Sequence, residues 1–132
     1  MALNIKKSEP KNTPSIFFGK LFQARDILHT RHLKPTSPGQ LGSGWEHKVL
    51  NDLYDSILDL TDGLIESWQG KYGIVDIIVP QSEYNNIVTY LEELVKFVET
   101  SYSIFPDSWV QNELDSIQKE IYSALYKLKN LR

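Results

Sequence analysis

HKVLNDLYDSILDLTDGLIES, residues 47–67, is the stretch on which the fold turns. Leu50, Leu53, Ile57, Leu60 and Leu64 recur every three or four residues. At 100° per residue they fall between about 220° and 300° from His47, the stripe of a helix with one face in a core. His47, Asn51, Asp62 and Glu66 fall near 0°, 40°, 60° and 100°, on a second face beside that stripe. Leu58 and Ile65 lie close to His47 in angle, so this second face is partly apolar. The pattern predicts a helix over 45–69, with Tyr54 and Trp68 on its broad apolar face and Gly70 as its stop.

Working outward, three further helices are predicted. One spans 15–33, with Pro14 at its start and Phe17, Leu21, Ala24 and Leu28 at helical spacing. KPTSPGQLGSG, 34–44, is a loop by its Pro, Gly and Ser content. Ile87, Leu91, Leu94, Val95 and Val98 predict a helix over 83–103. Val110, Leu114, Ile117, Ile121, Ala124 and Leu128 predict another over 107–130, with the alternating four-three spacing of a bundle seam. Between the second and third helices, IVDIIVP (74–80) is β-branched and closed by proline, so it reads as an extended crossover packed on the bundle or on another subunit. Residues 1–13, polar and bearing Lys6, Lys7 and Lys11, read as an extended arm. The expected architecture is all-α: a four-helix bundle over 14–132 with one long crossover and an N-terminal arm.

Composition narrows the function classes. The chain has no cysteine, which removes disulfides, thiolate nucleophiles, zinc fingers and iron–sulfur clusters, and leaves any metal to His, Asp and Glu. A net charge of -3 gives no global attraction for nucleic acid; the three lysines of the arm are a weak local signal, so DNA is not expected as the primary partner. No run approaches the roughly 18–20 apolar residues of a membrane span, and the N-terminus lacks a signal-like apolar stretch, so the protein is expected inside a cell or a particle. Phosphate loops and a G-x-S-x-G nucleophile are absent from the sequence.

Helix rise decides what the second face can do. His47 and Asp62 are about 22 Å apart along one axis, whereas metal–ligand bonds are about 2 Å, so one copy of this helix cannot gather these groups around one ion. Two antiparallel copies can. About a two-fold axis between Ser56 and Ile57, His47 faces Glu66 of its partner and Asn51 faces Asp62, giving two identical sites per pair. Against this stands the ordinary reading of an Asp and a Glu four residues apart as a solvated helix face.

The spacing H-x3-[DN]-x-L-Y-x7-D-x3-E, here His47, Asn51, Leu53, Tyr54, Asp62 and Glu66, resembles the second-helix signature of Dps-like mini-ferritins. With GKYG at 70–73 it is more similar still to ferritin-like proteins of tailed bacteriophages. The resemblance implies a ferritin-like bundle, a homo-oligomer, and an iron site across a two-fold interface. It adds a histidine at the end of the first helix: His32 is the candidate, with His29 as neighbour or outer ligand. The implied set is His32, His47, Asp62 and Glu66 for iron, with manganese or zinc as alternatives and Asn51 as a weak ligand where the family usually has aspartate. The paired Glu-x-x-His motifs of larger di-iron bundles are missing, since no glutamate lies three residues before any histidine. Two functions follow as expectations: an iron-binding protein that oxidises Fe(II), in the bacterial cytoplasm, or a phage structural or assembly protein that keeps the bundle, contacts other phage proteins and lacks redox chemistry.

Overall fold

A computed structural model describes residues 12–33, 43–81, 84 and 86–131. The expected arm, with Lys6, Lys7 and Lys11, falls almost wholly outside them, as does most of the loop 34–44. Four α-helices follow one another: α1 (Pro14–Leu33), α2 (Ser43–Tyr72), α3 (Ile87–Thr100) and α4 (Ser108–Asn130), with a short 3-10 turn at Tyr102–Ile104. Among the described residues there is no strand, and no helix is long and apolar enough to cross a membrane.

Several helix ends have a local chemical reason. Thr13 caps α1, its hydroxyl accepting from the Ile16 amide, and Pro14 takes the first helical position, where its missing N–H costs nothing. α2 runs past the expected stop. Gly70 stays helical, and the chain turns at Gly73, whose φ of 93° suits a residue without a side chain and whose amide donates back to Gln69 at 2.8 Å. α3 starts at Ile87, not near 83, because the Asn86 side chain accepts from the Thr89 amide at 3.1 Å and so fixes the first turn there. It ends at Thr100, not near 103, where Ser101 turns its amide to the Val98 carbonyl and its hydroxyl to the Phe97 carbonyl.

The apolar stripes meet in one core. α1 packs on α2, α2 on α4 and α4 on α3. Phe17, Leu21, Leu28, Leu50, Ile57, Leu64, Leu91, Leu114, Ile117 and Ile121 are fully buried, each contributing about 1.5–3 kcal/mol by leaving water. At one end an aromatic cluster closes the gap between α1 and α3: Phe17 stacks on Phe97 at 5.8 Å and meets Phe105 edge-on at 5.2 Å, while Phe18 meets Trp68 at 5.6 Å. Lys71 and Tyr72, at the end of α2, both donate to the Asp107 carboxylate at the start of α4.

Residues 73–81 form no regular element and lie along α1 as a strap. Ser15 donates to the Asp76 carbonyl, Gln23 to the Pro80 carbonyl at 2.9 Å, and between them the Ile78 carbonyl rests on Gly19. Four helical residues advance about 6 Å, and two extended residues advance about the same, so helix and strap stay in step only if the strap is fully extended. Gly19 is required by this contact: a Cβ built there would stand 1.7 Å from the Ile78 oxygen. Val75 and Ile77 turn toward the core, and Ile74, Ile78 and Val79 stay exposed.

Candidate metal centre

The end of α1 and the start of α2 bring the three histidines together. His32 is the penultimate residue of α1, so its carbonyl is one of those a helix end leaves without an intrahelical donor. His47 Nδ1 meets it at 2.8 Å. A carbonyl only accepts, so Nδ1 carries a proton, and in the neutral ring the lone pair is then on Nε2; the side chain is exposed. This is the way metal-binding histidines are commonly oriented, one ring nitrogen held by a carbonyl and the other free. The His32 and His47 rings stack at 4.2 Å, His29 stacks on Tyr54 at 4.7 Å, and His29 lies 6.1 Å from His32. His32 Nδ1 is buried and has no hydrogen-bond partner among the described residues.

Asp62 and Glu66 are exposed on α2, and Asn51 is half-buried. The rise of an unbroken helix keeps Asp62 about 22 Å from His47. Among the described residues, no group of three or more His, Asp or Glu side chains of the single chain is arranged to hold a metal ion.

Sequence reasoning missed a polar cluster beside the histidines. Arg31, on α1, pairs with Glu46, on α2, at 2.5 Å, both side chains about a quarter exposed. Tyr84 and Tyr90 pack with ring centroids 5.8 Å apart, and their hydroxyls are buried without partners among the described residues. Burial raises the pKa of both tyrosines, since the phenolate would lose its hydration; the Arg31 charge pulls Tyr84 the other way. The clue in the sequence was the Arg-His pair of α1 answered by Glu-His in α2: His32 and His47 each follow a charged residue, Arg31 and Glu46, of opposite sign.

A model for a family of unknown function, DUF5856, matches residues 45–128. The chain belongs to that family. The match begins two residues before His47 and runs through α2, α3 and most of α4, so His47, Asn51, Asp62 and Glu66 lie within the DUF5856 region while His29 and His32 precede it. No curated protein and no solved structure matches the chain.

Proposed function

We propose that this DUF5856 protein is a ferritin-like bundle of the Dps kind that pairs through antiparallel α2 helices into a homo-oligomer and binds iron between copies. The observation that carries the reading is His47: its Nδ1 is held by the His32 carbonyl, and its side chain is exposed on the helix that also carries the exposed Asp62 and Glu66. The strap along α1 supports a single long crossover between α2 and α3, as a ferritin-like order of helices needs. A pair centred on Ser56 and Ile57 sets His47 and His32 of one chain against Asp62 and Glu66 of the other, a mixed imidazole and carboxylate set suited to Fe(II). The residues bind and orient the ion; Fe(II) is the substrate and gives one electron, two such ions reducing one peroxide to water. Manganese and zinc fit the same donors.

The test is an anaerobic Fe(II) titration followed by peroxide, comparing the wild type with Asp62→Ala and Glu66→Ala. The expected result is stoichiometric binding lost in both variants while the oligomer stays intact; an intact wild-type oligomer that binds no Fe(II) overturns the reading. Asn51 favours a second function, a phage structural or assembly protein with the same bundle and no redox chemistry, because an amide in place of a carboxylate removes a charge from the ligand set. Under it, Asn51→Asp would be what restores tight Fe(II) binding.

A further inference from the structure

We propose that the outer edge of the strap is a self-association surface, on which a second copy of this chain lays its own strap antiparallel about a two-fold axis at Ile78. In an extended chain the N–H and C=O groups of alternate residues point to opposite edges. The carbonyls of Asp76, Ile78 and Pro80 face α1, so those of Ile77 and Val79 face away from it. The amides and carbonyls of Ile77 and Val79 have no hydrogen-bond partner among the described residues, and Ile78 and Val79 are 59% and 47% exposed. A free edge of this kind is a template for another strand.

A second copy of the strap satisfies every group on this edge. Turned about Ile78, the strap sets Ile77 against Val79 of the partner and Val79 against its Ile77, so each free amide meets a free carbonyl, four backbone bonds in all. A centre one residue earlier, at Ile77, would call on the Val75 amide, which already donates to Gln69. Pro80, which has no N–H to give, lies in the set that faces α1 and costs the pairing nothing. The exposed apolar patch around Ile74, Ile78 and Val79 amounts to a few hundred Å². A stable pair buries about 800 Å² on each partner, so this contact is weak and reversible by itself. It is also distinct from the α2 pairing. Tyr54, two residues before Ser56, sits level with His29, whereas the strap is centred at Gly19, about 12 Å away along the bundle. A chain with both surfaces has two isologous faces and can build beyond a dimer.

The absence of cysteine makes the test direct. Ile78→Cys would place its thiol opposite its own copy in a non-hydrogen-bonded pair, where side chains approach closely enough for a disulfide. Ile74→Cys is more exposed, at 88%, yet would lie about 26 Å from its copy. Under mild oxidation of the full chain, Ile78→Cys is expected to form the cross-linked dimer at least ten times faster than Ile74→Cys; equal rates, or the reverse order, overturn the proposal. Val79→Pro removes one donor that makes no bond among the described residues. It should weaken self-association in sedimentation at least tenfold with the helical circular dichroism unchanged, and unchanged association overturns the backbone pairing. If the partner were instead a strand of another protein, the Ile78→Cys chain alone would show no such preference.

Discussion

Gly19→Ala is the substitution whose sign separates a docked strap from a loose one. In an exposed helix, replacing glycine by alanine stabilises by about 1 kcal/mol. At Gly19 the new methyl carbon would stand 1.7 Å from the Ile78 oxygen and 2.5 Å from its carbon, against an ordinary carbon–oxygen contact of about 3.3 Å. The strap must therefore lift by more than 1 Å, roughly, which is enough to break the flanking hydrogen bonds from Ser15 and Gln23. Each bond lost costs about 1 kcal/mol, and Gln23, only 5% exposed, would leave a buried amide without its acceptor for about 1–3 kcal/mol. Set against the gain in helix propensity, the balance is a loss of about 2 kcal/mol. Urea denaturation followed by circular dichroism measures it, with Gly63→Ala as the reference, since nothing lies within 4 Å of a Cβ there and that change should stabilise. If Gly19→Ala stabilises as Gly63→Ala does, the strap does not rest on α1 and the alignment built on it is wrong.

Tyr90→Phe removes a buried hydroxyl with no partner among the described residues and is expected to raise stability by about 1 kcal/mol in the same urea assay; a loss of similar size would show that the hydroxyl is satisfied. The clasp at Asp107 sets a pH dependence: hydrogen bonds from Tyr72 first and Lys71 second hold its carboxyl below the ordinary carboxylate value, so its contribution is full above about pH 4 and is lost as pH falls through the depressed value. Lys71, raised by the same contact, contributes below about pH 10.4 and loses that contribution as pH rises through its raised value. Asp107→Asn should therefore flatten the acid limb of a stability-against-pH curve below about pH 4, and a curve superimposable on the wild type would show the clasp to be inert.

Periodicity carried the helices because burial follows it directly. Ile87, Leu91, Leu94, Val95 and Val98 are all buried, as are Val110, Leu114, Ile117, Ile121 and Ala124; Leu60 and Leu128, at the edges of their stripes, are only half-buried. Ends were less legible. Gly70 and Gly73 look alike in sequence, and only the backbone φ shows which one turns the chain. The start of α3 depends on the cap made by Asn86, which leaves no trace in the apolar spacing. Ser15, Gly19 and Gln23 do leave a trace, a line of small or polar residues four apart beside the apolar Phe18 and Phe22, but nothing local says what covers them. At the candidate site, the histidines meet because one lies at the end of a helix and another near the start of the next, whereas the His47 tautomer needed the structure: it depends on a carbonyl fifteen residues away.

The strap also sets an order of events as the chain is made. α1 and α2 are neighbours in sequence and can pair from local contacts, as can α3 and α4, and such contacts form fast. The strap is tied to the end of α2 through Gly73 and Val75, but its length from Asp76 to Pro80 settles on an α1 that is already helical, since its three contacts there are spaced by the helix turn. A strap that settles early carries α3 and α4 back toward α2, and so shortens the time for which the part of the α2 stripe that α1 leaves open is displayed on the growing chain. Gly19 thus governs how long that sticky face is displayed, and its loss would show in the yield of soluble protein during synthesis before it showed in any property of the finished fold.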